Sequence, residues 1–299
     1  MSIPESQLDT WSRQGSTTQS AATYQTIRNV LNDSIAPYYT KNFSIFLQGS
    51  YGNDTNVVDK EADVDVVMRL NDTYYYDTSR LSPAAKASFD TAFSAATYGF
   101  DEFRADVHGW LKKKFGDDVV DGKKAIAIKG AGGRRNADVL ACTKFRRYTK
   151  ESNGNDDQYH EGICFFRTDT HQRIENFPKQ HGDNITAKHQ ATKGWFKPVS
   201  RMYKNMRNRM VEDGLLADGR APSYFIEGAL WNVPDQHYGS SYAETFVETY
   251  NWIAAQDKSK LVCANGLHWL VLDNQPTSCP VADFDEFMAA TKKFWQEWN

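Results

Sequence analysis

"FLQGSYGNDTNVVDKEADVDVVMRL", Phe46 to Leu70, holds an apolar run closed by Gly49 and Ser50, a polar loop, and a second apolar run that carries Asp63 and Asp65. Side chains alternate along a strand, so residues at i and i+2 face the same way, about 6.5 to 7 Å apart along the backbone. Two like charges so placed repel each other. Flanked by Val64, Val66, Val67 and Met68, in a strand whose other face reads as buried, they demand compensation. Hard oxygen ligands suit Mg²⁺, and two such ions bridged by carboxylates sit about 3.5 to 4 Å apart. For the Asp-x-Asp pattern taken alone, a solvated strand face is the plain alternative.

The upstream turn shifts the balance. Gly49 and Ser50 end the first strand where backbone N–H groups and a hydroxyl can hold phosphate oxygens, and Gly52 and Thr55 keep the loop compact. A third carboxylate is offered by "RRNADVLACT", in which Asp138 opens an alternating strand directly after a glycine-rich loop. If that strand neighbours the one carrying Asp65, Asp138 reaches the same ions; otherwise it is a turn residue bonding its own backbone.

The remaining chain frames these segments. Its 299 residues are enough for one large domain or two packed lobes, and a formal net charge of −3 argues against a long nucleic acid as partner. Cys142, Cys164, Cys263 and Cys279 lack C-x-x-C spacing and read as buried reduced thiols. The polar N-terminus carries no secretory signal and no apolar run spans a bilayer, so a cytoplasmic setting is expected. His160, His171, His181 and His189 fit no zinc spacing and read as surface or loop residues. Lys112 to Lys114 read as the solvated end of a helix.

Helical spacing is expected from Ser16 to Val30, then strands at "FSIFLQG" and "DVDVVMRL". Helices follow at "SPAAKASFDTAFSAA", with Ser82 as N-cap, and at "DEFRADVHGWLKKKF". A hairpin over "KAIAIKGAGGRRNADVLACTKFRRY" and a strand at Gly162–Thr168 complete a mixed or mostly antiparallel sheet with helices to one side. From Ala191 onward the pattern is helical, with Asp283 and Glu286 as a capping box for the last helix. On the helix after Ala191, Lys197, Arg201 and Lys204 recur at i, i+4 and i+7 and so project together, toward a triphosphate or toward solvent.

"LQGSYGNDTNV" followed by "EADVDVVM" resembles the signature of the polymerase-β-type nucleotidyltransferases, and in its fuller form that of the bacterial cGAS/DncV-like nucleotidyltransferases (CD-NTases). The similarity runs on through "ENFPKQHGDNITAKHQATKGWFKPVSRMYKNMRNRM" and "APSYFIEGALWNVPD". It implies an α+β fold: a polymerase-β-like nucleotidyltransferase lobe, residues 1–175, packed against a C-terminal helical lobe, residues 176–299. It implies a cyclic oligonucleotide synthase of anti-phage (CBASS) signalling that joins NTPs into a cyclic di- or trinucleotide and releases pyrophosphate. A downstream effector reads the product, and the enzyme is expected to be a monomer.

By the same resemblance Asp63, Asp65 and Asp138 hold two Mg²⁺ ions, with Mn²⁺ as a substitute. Gln48, Gly49, Ser50, Lys197, Arg201 and Ser223 would contact nucleotide, and Tyr224 would stack on a base or else lie in the core. Gln190 and Thr192 are the candidates for a base edge, in a segment where His189 stands in place of an expected Asn. The competing enzyme reading is a nucleotidyltransferase that modifies tRNA or a small-molecule acceptor. A nucleotide-binding regulator without activity would lack a carboxylate, and all three are present.

Overall fold

A computed structural model describes residues 3–15, 17–57, 63–92, 95–150 and 158–298. In chain order the elements are α1 (Glu5–Ser12), α2 (Thr18–Leu31), β1 (Phe43–Leu47), α3 (Gly49–Gly52), β2 (Val64–Asp77), α4 (Pro83–Ala92) and α5 (Phe100–Phe115). Then come β3 (Val119–Asp121), β4 (Ile126–Ile128), β5 (Ala137–Lys150), β6 (Gln158–Phe166) and β7 (Arg173–Asn176). The chain ends in α6 (Pro178–Ala191), α7 (Phe196–Glu212), α8 (Ser223–Asn232), α9 (Tyr242–Ala255) and α10 (Val281–Gln296).

The chain divides into two compact units, and the division is not a single cut in the sequence. Thr17–Gln48 and Asp63–Phe177 form the sheet unit; Met1–Ser16, Gly49–Ala62 and Pro178–Asn299 form the helical unit. The chain therefore leaves the sheet unit after Gln48 and re-enters it at Asp63.

Among the described residues seven strands make the sheet, in the order β1-β2-β5-β4-β3 with β6 on β5 and β7 on β6. Every pairing is antiparallel except β2 with β5. This is the expected α+β class with a mixed sheet. Alternation assigns its faces: Val64, Val66, Met68 and Leu70 join Val139 and Ala141 in one cluster under α2 and α5, with Phe103, Val107 and Trp110. Val67, Leu140 and Cys142 lie in a separate cluster with Ile163 and Phe165. Asp65 shares the alternation of Val67, and Asp138 that of Leu140.

The helical unit has its own core, in which α7 supplies Phe196, Val199, Met202, Tyr203, Met206 and Met210. The four cysteines are free and buried, as expected. Ser82 caps α4 as expected, its Oγ accepting from Ala85 N–H at 3.3 Å.

Several expectations need correction. A helix not foreseen, α1, precedes α2 and buries Leu8 in the helical core, where Ile3 from just before it also lies; α2 itself starts at Thr18. The expected start at Ser16 lies outside the described residues. The last helix begins at Val281, two residues before Asp283, so no capping box forms. Asp283 and Glu286 instead take the Arg220 guanidinium at 2.6 and 3.3 Å. β2 runs well past Leu70, through a bulge, to Asp77. Of the histidines, His181 is buried on α6 rather than placed at the surface.

Candidate active site

Within the sheet unit, register builds an acidic set. β2 and β5 run parallel with Asp65 opposite Asp138, so the two carboxylates are direct neighbours on one face. On the other side of β2, Leu47 pairs with Val66, and the Gln48 N–H donates to the Asp65 carbonyl at 3.1 Å. Gln48, Asp65 and Asp138 thus stand in a row across three strands. The Gln48 Oε1 is buried without a hydrogen-bond partner.

Asp63 lies exposed just before β2 rather than within it. It is still felt by both other carboxylates. The Asp65 carboxyl is pushed up to about 7 by burial, then by the charges of Asp138 and Asp63. Asp138 is raised in the same direction by burial and by Asp63.

Three hard oxygen donors whose charges push up the carboxyls of Asp65 and Asp138 fit a divalent cation of the Mg²⁺ or Mn²⁺ kind. Among the described residues no three His, Cys, Asp or Glu side chains are gathered as a ready-made metal cage. The fit rests on the paired Asp65 and Asp138, with Asp63 at the open end of the strand. An open carboxylate set suits Mg²⁺, which keeps waters and substrate oxygens among its ligands.

The helical unit holds a set of its own. Gly49 opens the short α3 with φ +69°, a conformation that favours glycine. Ser50 follows, half-buried. Asn53 N–H donates to the Gly49 carbonyl at 3.1 Å, and Thr55 N–H donates to the Ser50 carbonyl at 2.9 Å, which closes the turn.

Of the three basic residues at i, i+4 and i+7 on α7, Lys197 and Arg201 hold this turn at Asp54. Lys197 Nζ meets Asp54 Oδ2 at 3.0 Å; Arg201 donates to the Asp54 carbonyl at 2.7 Å and to the Ser12 carbonyl at 2.6 Å. Asp54 has φ +57°, so these contacts stabilise a strained residue. Lys204 corrects the expectation of a cationic stripe toward phosphate: it is 1% exposed and pairs with Glu227 at 2.6 Å. The N-terminal segment grips the same turn, with Gln14 Nε2 on Asn56 Oδ1 at 2.8 Å and a reciprocal pair of bonds between Gly15 and Asn56.

Ser223 starts α8 and is half-buried. Tyr224 stacks on His181 with ring centroids 5.1 Å apart, and its hydroxyl accepts from Asn265 at 3.3 Å. Gln190 is exposed at the end of α6. Thr192 is not: it is buried, its hydroxyl bonds the Lys188 carbonyl at 2.8 Å, and its Oγ1 accepts from Phe196 N–H at 3.1 Å. Thr192 is the joint between α6 and α7, which corrects its candidacy for a base edge. His189 Nδ1 accepts from Lys197 N–H at 3.3 Å at the same joint. Burial, then the Lys197 and Arg201 charges, lower its pKa, so the ring stays neutral.

Residues missed from sequence are Asp54, Asn56, His181 and Glu227. The signal available for Glu227 was a lone acid in the apolar helix "SYFIEGALWN", which has to find a partner.

The family model for the cGAS/DncV-like nucleotidyltransferase C-terminal helical domain matches residues 183–296. The chain is 37% identical to a cyclic UMP-AMP synthase of Rhodothermus marinus, over 89% of this chain and 88% of that one. It is 34% identical to a cyclic nucleotide synthase of Staphylococcus haemolyticus, over the full length of both. The solved structure of the Rhodothermus marinus c-UMP-AMP synthase with Apcpp and Upnpp superimposes with a TM-score of 0.88 at 34% identity, covering 99% of this chain and 98% of that one. On these matches, and with the acidic sheet edge and Gly-Ser turn in place, the chain belongs to the cGAS/DncV-like nucleotidyltransferases, enzymes that make cyclic nucleotides from NTPs.

Proposed function

We propose that the sheet unit is the catalytic body and that the helical unit grips the nucleotide triphosphate. Asp63, Asp65 and Asp138 would hold two Mg²⁺ ions, for which Mn²⁺ can substitute; divalent-metal dependence is general among these enzymes. When bound, such ions neutralise charge at the α-phosphate and acidify the attacking hydroxyl. Asp65 and Asp138 align the reacting groups by their fixed register, and Asp138 orients the acceptor ribose hydroxyl. The Ser50 hydroxyl and the backbone of its turn bind the β- and γ-phosphates, with Lys197 and Arg201 supplying positive charge beside Asp54. Gln48 and Ser223 add hydrogen bonds, Tyr224 offers a flat face to a base, and Gln190 is the remaining candidate for a base edge.

In each round a ribose hydroxyl gives up its proton to solvent, its oxygen forms a bond to the α-phosphorus of an NTP, and the bond from that phosphorus to the α,β-bridging oxygen breaks. Pyrophosphate leaves with the electron pair. One round joins two nucleotides, and a closing round makes the ring. In-line transfer of this kind is governed by positioning and charge neutralisation.

The observation that carries this reading is the parallel pairing of Asp65 with Asp138. We infer a monomeric cytoplasmic enzyme whose cyclic product is read by a separate effector in anti-phage CBASS defence; among the described residues no helix is long and apolar enough to cross a membrane. The test is incubation with all four labelled NTPs and Mg²⁺, phosphatase treatment, and mass spectrometry. A phosphatase-resistant cyclic di- or trinucleotide is expected. Labelled nucleotide appearing only on added tRNA or an aminoglycoside refutes the synthase reading.

A further inference from the structure

The most costly feature of the helical unit is a fully buried set of polar side chains that the mechanism above does not use. Thr55, Lys204 and Glu227 are 0%, 1% and 2% exposed, and His181 is 5% exposed. Glu227 Oε1 accepts from Lys204 Nζ at 2.6 Å and also from the Thr55 hydroxyl. Its Oε2 faces His181 Nε2 at 2.7 Å. Lys204 Nζ also donates to Thr55 Oγ1 at 3.0 Å and to the Thr55 carbonyl at 3.1 Å.

The hydrogen count is decisive. An ammonium has three donors, and Lys204 spends them on Glu227 Oε1, Thr55 Oγ1 and the Thr55 carbonyl. None is left for a phosphate. The one hydroxyl hydrogen of Thr55 goes to Glu227 while its oxygen accepts from Lys204, so Thr55 too has no side-chain donor left for a phosphate. Everything the network holds on the loop side is a single residue, Thr55, and the Thr55 N–H fixes the Ser50 carbonyl.

A buried ion pair is weak evidence for stability, because an apolar pair of equal volume would serve the core as well. Here Lys204 and Thr55 have every hydrogen placed and both Glu227 oxygens are engaged, with His181 Nδ1 left buried without a partner; a polar set held this way specifies one geometry. We infer that Glu227, acting through Lys204 and Thr55, is a positioning residue that sets the Gly49–Thr55 turn for the triphosphate. The inference rests on the reading of that turn as the phosphate grip. Neither Glu227 nor Thr55 touches substrate in this scheme.

The test uses the full chain and a non-hydrolysable NTP analogue with Mg²⁺, at a temperature where circular dichroism shows every variant folded. Thr55→Val keeps the shape and removes the hydroxyl; Thr55→Ser keeps the hydroxyl. Analogue affinity is expected to fall about tenfold in Thr55→Val, one decade being about 1.4 kcal/mol of lost binding, and to stay within twofold in Thr55→Ser. Glu227→Gln, of nearly the same volume, is the second variant and is expected to lose at least as much. Mn²⁺ affinity without nucleotide, read by electron paramagnetic resonance, should not move, since the aspartates lie on the other unit. Ser50→Ala separates the two claims. If it weakens binding while Thr55→Val and Glu227→Gln bind as wild type does, the positioning role is overturned; if Ser50→Ala also binds normally, the reading of the turn falls.

Discussion

Replacing Asp65 with Asn should make the metal-free protein more stable at pH 8 and abolish its activity. The reason is the charge repulsion built into the sheet. The Asp65 carboxyl sits at about 7 in the fold against an ordinary 3.8, a gap worth about 4 kcal/mol if all of it is realised. The sign follows from proton linkage: the folded state holds the proton more tightly than the unfolded chain does. Stability is therefore intact below about pH 4, is lost as pH rises toward 7, and stays reduced above it. Asn cannot ionise, so it removes the loss. Because Asp138 and Asp63 relax when Asp65 is neutral, about 2 to 4 kcal/mol is a fair range, or several degrees in Tm for a chain of this length.

The assay is thermal unfolding in chelator at pH 5 and pH 8, for wild type and Asp65→Asn. The variant should melt higher at pH 8, and its advantage should shrink to less than half at pH 5, where about 1.7 kcal/mol of the effect is already present. Saturating Mg²⁺ or Mn²⁺ should raise the wild-type Tm at pH 8 and leave the variant nearly unmoved, since ligand binding stabilises only a fold that binds. A variant less stable than wild type at both pH values, or a wild type indifferent to metal, refutes the reasoning.

Other expectations follow from particular contacts. Lys204→Met strands the buried Glu227 carboxylate and should cost about 3 to 5 kcal/mol in denaturant unfolding; adding Glu227→Leu should recover most of it. Burial alone would raise the Glu227 carboxyl, but the Lys204 charge and the His181 hydrogen bond override it and hold it below the usual range. This contribution is present above the ordinary carboxylate pKa and is lost as pH falls through the depressed one, so a pH titration of stability should show acid lability that the double variant lacks. A Cβ on Gly228 would meet Leu270 Cδ1 at 2.5 Å, and Gly228→Ala should cost about 1 to 3 kcal/mol by overpacking, read as a lower unfolding midpoint. Leu8, wholly buried on α1, should cost about 2 to 5 kcal/mol on truncation to Ala, with a matching fall in Tm; an unchanged midpoint would mean that α1 does not dock.

The sheet edge was legible because its signals are local. Alternation around Asp65 and around Asp138 fixed two strands and a face for each, and parallel pairing then brought the carboxylates into register. Gly49 announced its turn through the φ that only glycine adopts readily. The helical-unit contacts were harder to read, for a physical reason. Periodicity placed Lys197, Arg201 and Lys204 on one side of α7, but what each meets depends on segments far away in sequence: Asp54 for the first two, Glu227 for the third. Thr192 looked available because a polar residue between helices usually is; here the chain turns on its hydroxyl. α1 escaped because eight residues with one buried leucine make too short a period to see.

The central claim is that Asp65 and Asp138, with Asp63, form the metal-holding edge beside which an NTP is cleaved. A crystal structure of the full chain with Mg²⁺ and a non-hydrolysable NTP analogue tests it most directly. The account predicts divalent ions ligated by Asp65 and Asp138, the α-phosphate against them, and the terminal phosphates on Ser50 and its turn. Nucleotide bound elsewhere, with Asp138 turned away from any ion, would contradict it.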